Sequence, residues 1–255
     1  MSSDPADSLR IMTYNVHGCV GIDGRLDVER IALAIDEYKP DVVALQELDV
    51  ARTRSGRNDQ AMLVSRQLRM EHFFHPAWLI KDDEQYGDAI LSRHPIKLVK
   101  KGALPTFPMQ PALEPRGVLW CVIEKNGHEY HVINTHLGLL KRERALQTIA
   151  LMSDEWVANS LCMNSCILCG DFNALPDSWV YQQITSVLID SQHQRRPWRE
   201  KATFHVRLPV VRLDYIFLSR DLEVTESMPC KNPLTRCASD HFPLIADIRP
   251  RLPAA

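Results

Sequence analysis

The sequence predicts an α/β (α+β) fold with mixed β-sheets, and three observations carry that prediction. Helix-periodic stretches alternate with short apolar runs early and late in the chain. A hairpin signal sits in the middle, where two apolar runs flank Lys125-Asn126-Gly127. Carboxylates, amides and histidines stand at the ends of the apolar runs along the whole length, as one site assembled from many strand ends requires.

Taken in order, residues 9–14 read as a strand. Residues 27–38 place Val28, Ile31, Ile35 and Tyr38 on one helical face, and Pro40 ends that helix. A second strand covers 41–45 and a second amphipathic helix 58–68. Strands follow at 86–92, 116–124 and 129–135. Residues 141–159 space Leu146, Ile149, Met152 and Trp156 as a helix face. A strand at 165–169, a helix near 178–187 and strands near 213–218 and 241–248 complete the set. The Pro-rich stretch 105–115 is an extended loop, because strand patterns resume on either side, and no internal repeat is visible.

The 255 residues are 45% hydrophobic and 24% charged, the composition of a soluble globular enzyme. Chemically capable residues run from Asn15 to His241, so dividing the chain would divide the site; the expectation is a disordered tail at 1–8 and one catalytic domain at 9–250. A net charge of −2 excludes a global basic field for gripping nucleic acid, leaving only a local rim at Arg52, Arg54 and Arg57. The opening MSSDPADSLR has neither a basic nor an apolar signal region, and no run approaches the ~18 apolar residues of a membrane span, so a cytoplasmic monomer is expected. Seven cysteines in an irregular set fit reduced thiols. Cys166 and Cys169 form a C-x-x-C, but on a strand they point to opposite faces and no second pair follows, so buried thiols are expected in place of zinc.

Six polar junctions carry the chemistry: TYNVHG at 13–18, LQE at 45–47, NTHL at 134–137, GDFNA at 170–174, RLDYIFLS at 212–219 and SDHFPL at 239–244. In this order they resemble the endonuclease/exonuclease/phosphatase superfamily, which includes pancreatic deoxyribonuclease, abasic-site endonucleases, neutral sphingomyelinases and inositol-polyphosphate 5-phosphatases. The resemblance spans residues 9–248. It implies a deoxyribonuclease I-like four-layer sandwich, two mixed β-sheets face to face with helices outside. It also implies metal-assisted phosphoester hydrolysis, in which hard oxygen ligands hold Mg²⁺ or Mn²⁺.

On that resemblance Glu47 is the metal ligand, Asn15 beside it a carbonyl ligand or hydrogen-bond partner, and Asp240 a further contributor to the metal shell. His241 is the general base or transition-state stabiliser, with Asp214 fixing its tautomer. Asp171 and Asn173 orient the attacking water and bind a phosphate oxygen, and His136 donates to a nonbridging oxygen or the leaving group. Arg116 is a candidate for binding the phosphate, with a salt bridge to Glu114 as the alternative. The role of Asp88 stays open. His17 reads as a local hydrogen-bonding residue, and the histidines at 72, 75, 94, 128, 131, 193 and 205 carry no motif.

Phosphodiester hydrolysis is therefore expected. A nuclease acting on DNA or RNA and a phospholipid- or sphingomyelin-type phosphodiesterase remain rival readings. A phosphomonoesterase or a non-catalytic binding module stands behind them. Trp78, Phe107, Met109 and Pro111 are candidates for an apolar wall near the site.

Overall fold

The computed structural model describes residues 8–81, 83–107, 114–162, 164–192 and 201–251. Residues 1–7 of the expected tail, and Met109, Pro111 and His193, lie outside them.

The described elements run β1 (Leu9–Asn15), α1 (Val28–Asp36), β2 (Val42–Val50), α2 (Gln60–Leu68), β3 (Glu71–Lys81), β4 (Glu84–Ser92), β5 (Ile96–Ala103), β6 (Gly117–Lys125) and β7 (His128–His136). They continue with α3 (Lys141–Leu151), β8 (Cys166–Asp171), α4 (Trp179–Thr185), β9 (Ile189–Asp190), β10 (Asp214–Leu218), β11 (Leu222–Pro229), α5 (Pro233–Ala238) and β12 (Leu244–Pro250). Two six-stranded sheets result, ordered β11-β12-β1-β2-β4-β3 and β5-β6-β7-β8-β10-β9. Each has one parallel pair near its centre, β1 with β2 and β7 with β8, joined by crossovers through α1 and α3; the other pairs are antiparallel.

Alternation along the strands sorts the side chains into three cores. Leu9, Ile11, Val42 and Ala44 of the first sheet meet Cys121, Val132, Ile167 and Cys169 of the second between the sheets. Met12, Tyr14, Val43 and Leu45 point to the other face, under α1 and α2. Ile133, Cys166, Leu168 and Phe217 lie under α3 and α4. The result is the expected order of helix, sheet, sheet, helix. Cys166 and Cys169 face opposite cores as their spacing predicts, and the Cys166 sulfur instead lies 2.8 Å from that of Cys162.

The sequence reading passes over β3, β5, β9 and β11, and these four are the outermost strands of the two sheets. Edge strands are half covered, so their apolar alternation is weak; β3 carries Pro76 at a register shift and β5 carries Lys97, Lys100 and Lys101. The expected helix at 141–159 ends at Leu151, and half of its expected face turns inward: Met152 and Trp156, beyond the helix, pack on the core under α3 and α4, but within it Glu143, Gln147, Thr148 and Leu151 are buried while Leu146 and Ile149 are exposed. The cause is the loop before it. The Gln147 side-chain oxygen accepts from the Gly138 N–H, and Glu143 packs on Gly138, so the polar residues must face inward to hold the turn after His136.

Gly170, at the end of β8, has a φ of +144°, and a Cβ there would lie 1.8 Å from the Thr135 carbonyl oxygen. Both neighbours are central strands, so neither can move aside. Gly170→Ala should lower the stability of the protein by roughly 3 kcal/mol or more, read as a fall in the thermal midpoint.

Candidate active site

The two parallel pairs end at the same edge of the sandwich, and the motif residues sit there. Asn15 closes β1, His136 closes β7 and Asp171 closes β8. Glu47 lies inside β2 where the register with β4 shifts between Leu45 and Leu48, and its φ of +64° marks the irregularity. The shift sends Gln46 between the sheets, where its amide donates to Asn134 Oδ1 at 2.8 Å and to Thr13 Oγ1 at 3.0 Å. Asn134 in turn donates to the carbonyls of Leu45 and Ala89. This buried amide pair bolts the two sheets together directly beneath the site, a role the sequence did not disclose.

Asn15, almost fully buried, joins the two sheets beside the cavity. Its Nδ2 donates to Glu47 Oε1 at 2.8 Å and to Asp171 Oδ2 at 3.0 Å. Its Oδ1 accepts from the His17 N–H at 3.1 Å, so of its two expected roles it fills that of hydrogen-bond partner. Asp171 Oδ1 accepts from the Asn173 N–H at 2.9 Å. His241 Nδ1 lies 2.9 Å from Asp214 Oδ2, and its Nε2 faces Asp171 Oδ2 at 3.7 Å. The Phe204 ring covers the His241 imidazole with centroids 4.7 Å apart.

These contacts set the charges. Burial alone would lower the His241 pKa, but the carboxylates of Asp214 and Asp171 push it up to about 10. Asp171 is raised by burial, with the His241 cation opposing and Asp214 reinforcing the rise. His136 is held well below the ordinary histidine value by burial and then by the neighbouring Arg116. Its Nδ1 faces Arg116 Nη1 at 3.2 Å and its Nε2 faces Asn173 Nδ2 at 3.1 Å. A neutral imidazole has one N–H, so it accepts from only one of these donors and keeps a proton on its other nitrogen. Glu47 is held well below the carboxylate range: burial opposes this, but the His17 hydrogen bond, the Asn15 amide and the His241 charge outweigh it.

Glu47 Oε2 and Asp240 Oδ1 converge on His17 Nδ1, at 3.5 and 3.8 Å. Two hard oxygen donors aimed at one positive group, at the rim of the cavity and beside a half-exposed side chain, fit a divalent cation. A second group of ligand atoms, on Asp171, Asp214 and His241, lies within 4.8 Å of one another. Asp214 Oδ2 is committed to His241, and both Asp171 oxygens accept hydrogen bonds, so this group is better described as a hydrogen-bonded His241–Asp214 pair facing Asp171 than as a donor set.

The cavity has a volume of about 610 Å³, and its walls include Arg54, Tyr86, Arg116, His136, Asn173 and His241. Arg116 is almost fully buried and makes one of its two expected contacts, the salt bridge to Glu114 at 3.2 Å; it also faces His136, which the sequence did not suggest. Of the expected basic rim, Arg52 and Arg54 are bound to the buried Asp49 and lie over Tyr86, and Arg57 pairs with Asp83. Trp78 and Phe107 do not line the cavity; its apolar walls are Val20, Leu26, Leu139, Phe204 and Leu213.

Asp88 is buried in β4, where burial pushes its pKa up to about 7 against the opposing charge of Arg116. Unfolded, the group releases its proton near 3.8. Between the two values the folded state holds a proton that the unfolded state has lost, so stability falls as pH rises through that window. Asp88→Asn removes the titration. In metal-free protein it should therefore raise the thermal midpoint over the parent most at about pH 8, with the gain shrinking toward about pH 5.

The Endonuclease/Exonuclease/phosphatase family model matches residues 12–241. The chain is 27% identical over 252 residues to the uncharacterized protein YbhP of Escherichia coli K12, covering 94% of this chain and 96% of that one. The endonuclease/exonuclease/phosphatase from Bacteroides vulgatus superposes with a TM-score of 0.77 at 18% identity, over 96% of this chain and 99% of that one. A mannosyl-6-phosphatase from Bacteroides thetaiotaomicron superposes with a TM-score of 0.69 at 21% identity, over 94% and 99%. These two structures share the fold. With a family match running from the first strand to His241, the chain belongs to the Endonuclease/Exonuclease/phosphatase family.

Proposed function

We propose that this protein is a divalent-metal-dependent phosphodiester hydrolase, with residues 9–250 acting as one catalytic unit in a monomeric cytoplasmic enzyme. The observation that carries the reading is the opposition of Asp171 to the His241–Asp214 pair, 3.7 Å away, in a cavity that also holds the convergent Glu47 and Asp240 carboxylates.

Glu47 and Asp240 would hold Mg²⁺ or Mn²⁺, with Asn15 fixing Glu47 by hydrogen bond; the ion supplies charge neutralisation at the phosphate and lowers the barrier to forming the nucleophile. Asp171 is the base for the attacking water. Its raised pKa makes it a better proton acceptor than an ordinary carboxylate. His241 acts as an imidazolium that balances charge building on the phosphate oxygens, and Asp214 holds the proton on its Nδ1. His136 presents a neutral N–H, and Arg116 and the Asn173 amide supply further donors to the same oxygens.

The substrate is a small or lipid-linked phosphodiester in preference to duplex nucleic acid. Arg52, Arg54 and Arg57 are already neutralised by Asp49 and Asp83, so the cations that would replace counterions on a DNA backbone are committed within the chain. Comparing turnover of bis-p-nitrophenyl phosphate, a phospholipid, p-nitrophenyl phosphate and plasmid DNA in Mg²⁺ tests the ranking. Efficient nicking of plasmid with little turnover of the small diester would reverse it.

Activity should vanish in excess EDTA and return with Mg²⁺ or Mn²⁺; full turnover in chelator would remove the metal from the mechanism. His241→Ala and Asp171→Ala should each lower kcat by about a hundredfold or more. The pH profile should rise as Asp171 ionises and fall as His241 loses its proton. Because the Asp214 charge helps to hold that proton, Asp214→Asn should move the alkaline limb to lower pH as well as lower kcat.

A further inference from the structure

Helix α3 is built inside out. Its buried face is Glu143, Gln147, Thr148 and Leu151, while Arg142, Leu146 and Ile149, spaced by four and three residues, form an exposed stripe. A surface helix ordinarily turns its apolar stripe to the core. Here the inner face is occupied with holding the turn at Gly138, and the apolar side chains stand outside.

They do not stand alone. Ile149 is 61% exposed, Val187 52% and Trp179, at the start of α4, 41%, and these three line one shallow groove between α3 and α4. Trp179 continues into a second groove with Leu175, Lys141 and Arg144, and that groove meets the catalytic cavity at Asn173. Leu139, 69% exposed, belongs to the cavity wall itself. An apolar path therefore runs from the mouth of the active site across the outer face of two helices.

Cations border the path. Lys141 and Arg142 are exposed and pair with no carboxylate among the described residues. Arg144 beside them donates to the carbonyls of Gly138 and Leu139, and Asp177 is the acid that faces this groove. We propose that the α3/α4 face docks on an anionic lipid surface, with Leu146, Ile149 and Trp179 entering the acyl boundary and Lys141 and Arg142 meeting headgroup phosphates. An exposed apolar stripe flanked by cations is the composition of a helix lying in a bilayer interface. A symmetric contact with a second copy of this chain would set the same cations against their own equivalents, which disfavours self-association through this face.

The inference concerns binding alone and does not depend on the reaction proposed above, so the test is run in EDTA, without turnover. Co-sedimentation with vesicles of phosphatidylglycerol in phosphatidylcholine should exceed that with phosphatidylcholine alone and should weaken with added salt. Leu146→Ser with Ile149→Ser should lower the partition coefficient by at least about tenfold with an unchanged thermal midpoint. Lys141→Gln with Arg142→Gln should lower it by about fivefold per charge removed. Failure to sediment with the anionic vesicles, equal partition of parent and variants, or a dimer in solution that the serine variants dissociate would each overturn the proposal.

Discussion

The site depends on one primary amide. The Asn15 Nδ2 has two N–H bonds to give, and it gives one to Glu47 of its own sheet and the other to Asp171 of the opposite sheet. A neutral donor between two buried carboxylates lets them approach without a cation between them. Removing it would leave two like charges facing across the seam of the sandwich. The geometry that permits this is set lower down. Gln46 and Asn134 meet between the sheets and fix how β2 and β7 lie over one another, so the strand ends above them arrive in register.

That seam concentrates more negative charge than the chain itself balances. Glu47, Asp88, Asp171, Asp214 and Asp240 lie in or against the cavity, facing Arg116, the His241 imidazolium and the half-exposed His17. The molecule accommodates the excess in two ways. Asp88 and Asp171, almost wholly buried, have pKa values raised to about 7 by that burial, so each gives up its proton less readily than an ordinary carboxyl group. Glu47, near His17, His136 and the Asn15 amide, stays ionised. The carboxylate that must hold a cation is thus kept charged, while the one proposed to take a proton from water is kept basic. Two acids of the same chemical type are separated by environment alone.

Much of this was legible in the chain, and the limits follow from physics. Central strands are covered on both faces and read as apolar runs, so β1, β2, β4, β6, β7, β8, β10 and β12 were each found within a few residues. The outermost strands β3, β5, β9 and β11 were not, because half-covered edges carry lysines, a proline and mixed polarity that erase the period. The motif residues were recognisable because short polar groups at the ends of apolar runs have few structural reasons to be there. The contacts that position them were invisible. Nothing in LQE says that Gln46 turns inward and Glu47 outward, since that division comes from a register shift against β4. Nothing in the arginines at 52, 54 and 57 says that Asp49 and Asp83 already hold them.

Helix α3 shows why periodicity identifies a helix more readily than it identifies the buried face. Leu146 and Ile149 continue the spacing of Met152 and Trp156, which pack on the core, yet the helix itself is rotated so that Glu143 and Gln147 face in. Rotating it back would bury two leucine-sized side chains but would leave the Gly138 N–H without its acceptor, in the turn that carries His136 to the cavity. An unpaired backbone N–H in the interior costs about as much as a lost hydrogen bond, and here it would also free the position of a site histidine. The requirement of the turn outweighs the burial of the stripe. Apolar surface is displaced to the outside of the helix, beside the cavity mouth, where it is available to something other than the core.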